Sequence, residues 1–292
     1  MIKTALACLA MMRPQQWTKN LLVFAALLFA AQAHIPSQRA RSLRIFLAFC
    51  LVSSAVYIFN DLFDRKADQT HPRKRRRPIA SGQVKGAAAV GVALALLAGG
   101  AVLSRQIPGA GQACLLGYLI LQVAYTLVLK HQVILDVMAI SAGFVLRAAA
   151  GAFAIDVVIS QWLLICTILL SLFLALSKRR SEILSAPDAS THRTVLGEYS
   201  LPFLDQLIAV VTAGTLLAYI LYTYSDQTMQ KFPSHRMPLT LPFVLYGIFR
   251  YLYLIYGKAE GGEPELLMVK DLPLLIDILL WASAVAFIVS AG

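Results

Sequence analysis

Apolar residues fall into nine runs, at about 20–34, 43–60, 86–104, 111–129, 134–155, 160–177, 202–223, 239–257 and 272–291. Most approach the ~20 residues an α-helix needs to cross about 30 Å of hydrocarbon. The polar stretches between them are short, the longest at about 61–85 and 178–200. This alternation predicts an all-α polytopic membrane protein, with nine transmembrane helices packed as one bundle over residues 1–292. Helix 3, from Gly86, carries Ala87, Ala88, Ala89, Gly91, Ala93, Ala95 and Gly99, small residues that let membrane helices approach closely.

Composition strengthens this reading and changes one inference. Of 292 residues 59% are hydrophobic, and mean hydropathy is +0.70, which excludes an ordinary soluble domain. The net charge of +11 would suggest nucleic acid in a soluble protein. Here the bases segregate by loop, 18 on one side of the nine-helix scheme and 6 on the other. That is the positive-inside pattern, so no nucleic-acid partner is expected. It places the N-terminus and both long loops in the cytoplasm and the C-terminus outside. Cys8, Cys50, Cys114 and Cys166 are far apart and read as free thiols, with no disulfide framework and no zinc site. Residues 1–12 read as an interfacial helix, and Trp17 as an interfacial anchor.

The densest chemistry follows the second run. Asn60, Asp61, Asp64 and Asp68 lie within 100° of arc if the helix continues through them. Clustered carboxylates call for a cation, and hard oxygen donors favour Mg²⁺, which commonly bridges substrate phosphates. His71-Pro72-Arg73-Lys74-Arg75-Arg76-Arg77-Pro78 comes next, the highest density of positive charge in the chain. An acidic face beside a basic loop suggests a phosphorylated substrate. The plain alternative is that the acids neutralise nearby bases and that the basic run only sets topology.

Further on, Asp136, Ile140, Gly143 and Arg147 make one helical stripe, near Lys130 and His131. Charge at membrane depth costs roughly 2.5–3.5 kcal/mol per residue, so the stripe should face protein or a cavity. Arg147 reads either as a phosphate clamp or as half of a buried ion pair. After helix 6 come Lys178-Arg179-Arg180-Ser181-Glu182 and then Gly197-Glu198-Tyr199-Ser200. On a continuing helix Arg179 and Glu182 are i, i+3 neighbours. No catalytic triad order, phosphate-binding glycine loop or Cys/His metal spacing is present. A transporter would more often show inverted repeats and broken helices.

The Asn60…Asp64…Asp68 spacing resembles that of UbiA-type intramembrane prenyltransferases. Other motifs narrow the resemblance to one branch, the decaprenyl-phosphate phosphoribosyltransferases. These are Arg13-Pro14 through Asn20, His71-Pro72 through Ala80, Leu129 to Gln132 with Asp136, Gly143 to Arg147, Lys178-Arg179 with Glu182, and Gly262-Glu263-Pro264-Glu265. The resemblance implies a UbiA-like bundle in the bacterial plasma (inner) membrane, with a cytoplasmic active site. It implies transfer of 5-phosphoribose from phosphoribosyl diphosphate (PRPP) to a polyprenyl phosphate, towards lipid-linked arabinose for cell-wall arabinan. Mg²⁺ is the implied cofactor, with Mn²⁺ as a substitute, and a homo-oligomer is compatible with it. Asn60, Asp61, Asp64 and Asp68 become the expected metal ligands, the three acids being catalytic. Lys19, Asn20, Arg73, Lys74, Arg75, Lys130, Arg147, Lys178, Arg179, Glu182 and Tyr199 become the expected substrate-binding set. The superfamily usually has a second Asp-rich motif after helix 6. Lys178 to Glu182 stands there instead, which argues against an aromatic acceptor and an allylic diphosphate donor. It suits a donor with a further phosphate, and Arg179 is the residue expected to read it.

Overall fold

The computed structural model describes every residue except 1, 31, 71–73, 186–193, 233–234, 259–261, 263 and 291–292. Among the described residues the chain is helical, without strands. Its α-helices are α1 (Ile2–Met12), α2 (Ala25–Phe29), α3 (Pro36–Phe63), α4 (Arg65–Thr70), α5 (Gly86–Ser104), α6 (Gly109–Leu127) and α7 (Leu135–Ala154). There follow α8 (Gln161–Ser185), α9 (Leu201–Tyr224), α10 (Asp226–Lys231), α11 (Leu241–Gly257), α12 (Pro264–Lys270) and α13 (Leu272–Ser290). Eight described segments are long and apolar enough to cross a membrane: α3, α5, α6, α7, α8, α9, α13, and α11 with the turn that precedes it.

The expected first span is the exception. Residues Pro14–Phe24 form a 3-10 helix that passes into the short α2. A 3-10 helix rises about 2.0 Å per residue against 1.5 Å for an α-helix, so residues 14–29 still reach about 30 Å. Side chains three apart eclipse in a 3-10 helix. Trp17, Asn20 and Val23 therefore share one face. Trp17 donates its indole N–H to Ser54 Oγ at 3.0 Å, which goes beyond the interfacial anchoring expected of it. Asn20 and Val23 are fully buried. The backbone of Val23 lies against α7 at Gly151, where a Cβ would fall 2.0 Å from the Val23 carbonyl oxygen. Only glycine permits that approach.

The single bundle expected over residues 1–292 resolves into two compact units. Unit 1 comprises Met1–Leu27, Gln32–Gln132 and Leu146–Ile159; unit 2 comprises Leu28–Ala31, Val133–Val145 and Ser160–Gly292. In unit 1, Ile45, Phe49, Val52, Leu115, Tyr118 and Ala150 form one core. A second joins Met11 of α1 to Ile58, Ile79 and Ala89. Of the small residues expected to pack, Ala89 is buried and a Cβ at Gly99 would meet Leu51 at 3.1 Å, while Ala87, Ala88, Gly91 and Ala95 are exposed. The close approach of α5 to α3 lies at Gly100, where a Cβ would meet Val52 at 2.8 Å. In unit 2, Phe173, Leu176, Leu204, Ile208, Ile248, Tyr251 and Leu254 form the core. The four cysteines are free thiols.

Two features prepare the chemistry. Helix α3 runs on through Asn60 and Asp61 and stops at Asp64, after which α4 restarts the coil. Helix α8 continues past its apolar part to Ser185, so Lys178 to Glu182 stay helical.

Candidate active site

In unit 1 the acids at the end of α3 are gathered by bases. Asp61 is buried, and its Oδ1 accepts from Arg13 Nη2 at 2.5 Å and Arg77 Nη1 at 3.0 Å. The same Arg77 nitrogen reaches Asp68 Oδ2 at 2.6 Å, and Asp68 is buried too. Asp64 is more open, with a side chain 28% exposed, and takes Lys130 Nζ at 2.6 Å. Lys130 also lies over the Phe63 ring. Thr126 Oγ1 stands 3.4 Å from Asn60 Oδ1. The expected arc is therefore split: Asp61 and Asp68 share Arg77, and Asp64 faces Lys130. No three His, Cys, Asp or Glu converge as metal ligands among the described residues.

In the same unit Arg147 is buried on α7. Its Nε donates to Asn20 Oδ1 at 2.7 Å and its Nη2 to Tyr118 Oη at 2.9 Å. Its guanidinium lies 4.4 Å from the centre of the Tyr118 ring. Asn20 in turn donates to Ser53 Oγ at 3.3 Å. Arg147 and Asn20 thus hold each other inside unit 1. Lys19 and Lys74 are half-buried and Arg75 is exposed. Arg73 lies outside the described residues.

In unit 2 the chemistry lies on α7, α8 and the approach to α9. Asp136, fully buried in the first turn of α7, accepts from Arg179 Nε at 2.8 Å and from the Tyr199 hydroxyl at 2.7 Å. Arg179, itself buried, also pairs with Glu182 through Nη1. Tyr199 Oη accepts the Ile134 N–H at 2.7 Å. Ile134 has φ +69°, and Leu135 N–H reaches back to the Val133 carbonyl at 2.8 Å. That is a positive-φ γ-turn centred on a β-branched residue, a rare geometry. Such strain costs roughly 1–3 kcal/mol and persists where the surroundings over-determine it. Burial first, then the hydrogen bond to Asp136, pushes the Tyr199 phenol well above its ordinary range, so it stays a donor. Beside this, Arg180 Nε meets Asp205 Oδ1 at 2.7 Å and lies over the Tyr256 ring. Lys178 is half-buried. The Gly262 backbone approaches Ser181, so a Cβ there would come within 3.3 Å of its hydroxyl.

The expected stripe Asp136…Arg147 is thus divided, its acid held in unit 2 and its base in unit 1. Sequence reasoning missed Arg77 and Tyr118 as partners. Arg77 is the fifth of five consecutive bases, and nothing local marks it out. Tyr118 is one polar atom in an apolar helix.

A family model described as the UbiA prenyltransferase family matches residues 20–181. The chain belongs to that family. Among its relatives, the decaprenyl-phosphate phosphoribosyltransferase of Corynebacterium glutamicum is 34% identical over 285 residues, 95% of this chain and 85% of the relative. That of Mycobacterium tuberculosis is 32% identical over 291 residues, 96% and 93% of the two chains. A UbiA homolog from Archaeoglobus fulgidus, solved bound to GPP and Mg²⁺, superposes with a TM-score of 0.71 over 97% of this chain and 99% of its own, at 16% identity. At that identity the likeness speaks for the fold. This UbiA family member therefore shares its architecture with that UbiA homolog, and its sequence, nearly end to end, with proteins named decaprenyl-phosphate phosphoribosyltransferase.

Proposed function

We propose that this protein transfers 5-phosphoribose from PRPP to a polyprenyl phosphate and releases diphosphate. The end of α8 carries this reading. The resemblance implies further acids here in the wider family. This chain has the basic run Lys178 to Arg180 and one carboxylate, Glu182, which pairs with Arg179, so Lys178 is the base of this run assigned to a phosphate. Near full-length likeness to proteins of that named activity supports it.

The bond broken joins C1 of the ribose to the diphosphate oxygen, and the bond formed joins C1 to a lipid phosphate oxygen. That oxygen is already ionised, so the absence of an evident general base is no obstacle. Asn60, Asp61, Asp64 and Asp68 carry the hard oxygen donors that a divalent cation such as Mg²⁺ takes. Arg13, Arg77 and Lys130 hold the three carboxylates in this structure, and a cation would bind by displacing those bases. Bound there, it would neutralise charge on the departing diphosphate. Lys74, Arg75, Lys130 and Lys178 are the bases proposed for the phosphates, with Arg73 and Lys19. Asn20 and Arg147 act chiefly by holding one another. The protein is proposed to sit in the plasma membrane with its N-terminus and motif loops in the cytoplasm.

The test is an assay of purified protein with labelled PRPP or labelled geranyl diphosphate, each with its matching acceptors. Transfer from PRPP to the polyprenyl phosphate is expected, lost in EDTA and restored by Mg²⁺ or Mn²⁺. Transfer from geranyl diphosphate alone overturns the assignment.

A further inference from the structure

Unit 2 contains a continuous set of contacts that the proposed reaction does not yet use. It starts at the strained Ile134 backbone, passes through the Tyr199 hydroxyl to the Asp136 carboxylate, crosses to the Arg179 guanidinium and ends at Glu182. Exposure rises from Asp136 towards Glu182. Asp136 is sealed at 0%, the Arg179 side chain is 2% exposed, and the Glu182 side chain is 28% exposed. Asp136, Arg179 and Tyr199 are thus enclosed, and the set of contacts meets the surface at its two ends, Ile134 and Glu182, of which Glu182 carries the charge.

Stability does not account for such a ladder. Well-packed apolar residues in place of a buried ion pair are often as stable or more so. Here a buried acid, a buried base and a strained γ-turn are all retained to fix one guanidinium. The Arg179 guanidinium lies between two carboxylates, an arrangement that repels a phosphate. A guanidinium oriented by one carboxylate and bonded to another does suit a different task, because its planar fork fixes direction.

We propose that Arg179, Asp136 and Tyr199 are positioning residues that hold the Glu182 carboxylate in place for the reaction, and that Arg179 does not read the 5-phosphate of the donor. This rests on the phosphoribosyl-transfer reading above. Tyr199 joins the set because it satisfies the Ile134 N–H and the Asp136 oxygen together, tying the start of α7 to the approach to α9.

The experiment compares two donors, PRPP and ribosyl diphosphate lacking the 5-phosphate, on the full-length protein. The variants are Glu182→Gln, Arg179→Ala, Asp136→Asn and Tyr199→Phe, alone and each combined with Glu182→Gln, with thermal unfolding measured for all. Positioning predicts that each inner variant lowers kcat/KM by about tenfold to a hundredfold, the scale of a displaced reacting group. The factor should be the same for both donors. In the Glu182→Gln background the same substitutions should add less than about twofold, because members of one network are not additive. A loss confined to the 5-phosphorylated donor in Arg179→Ala would make Arg179 a phosphate reader and overturn the proposal. Losses that multiply with Glu182→Gln overturn it as well. Should Arg179→Ala not fold, Tyr199→Phe, which removes one hydroxyl, carries the same cycle. If the wild type turns over geranyl diphosphate and not PRPP, the reaction assignment fails. The cycle is then run on that donor, and multiplicative losses alone sink the ladder.

Discussion

Asp64 and Asp68 stand one helical turn apart and answer to different tests. Asp64 is partly open and has a lysine partner, so Asp64→Asn should keep the fold and lower turnover by about a hundredfold or more, the scale of a lost electrostatic contact to developing charge. Unfolding midpoint and kcat on one preparation check this. Arg77 is the reverse case. It bridges two buried acids, and removing it leaves Asp68 facing a gap. Arg77→Ala should cost about 3–5 kcal/mol, the usual result of breaking one side of a buried pair. Denaturant or thermal unfolding in detergent reads that loss. The acids were legible in the sequence because nothing else explains three of them at a membrane edge. Their partners were not. A run of five bases is uniform to the eye, and only the turn after α4 selects Arg77. The same holds for Arg179: its i, i+3 spacing to Glu182 was visible, while Asp136 stands 43 residues away and could not be paired with it from spacing alone.

Among the elements, the apolar runs located eight segments long and apolar enough to cross a membrane and misjudged the winding of the first, for a physical reason. Hydropathy counts residues and does not see backbone winding. Residues 14–24 wind as a 3-10 helix, with Trp17, Asn20 and Val23 on one face and the Val23 backbone pressed on Gly151. Gly151→Ala therefore tests the element. A new Cβ 2.0 Å from a backbone oxygen cannot be accommodated without shifting the segment. A loss at or above the usual ~1–3 kcal/mol of overpacking is expected, and it should also disturb the Asn20–Arg147 contact. Gly117→Ala on α6, where a Cβ meets only the Leu146 methyl groups at 3.8 Å or more, should be nearly neutral in the same melt.

At the scale of the whole molecule the 3-10 segment decides parity. Eight crossings put both termini on one side, and nine put them on opposite sides. If residues 14–29 cross, single cysteines placed at Lys3 and Lys74 should label from the same face, and one at Lys231 from the other. Labelling of Lys3 with Lys231 instead would mean the segment does not cross. The segment's winding has a further consequence, for the lipid around it. With the 3-10 winding, residues 14–29 reach about 30 Å; wound wholly as an α-helix they would reach about 24 Å. The two forms match bilayers of different thickness, and mismatch costs fractions of a kcal/mol per ångström. Over 6 Å that becomes enough to favour one winding over the other. Vesicles of shorter acyl chains should therefore recoil the first crossing towards the α form. That would turn Asn20 off the face that meets Arg147 and make bilayer thickness a control on the core of unit 1.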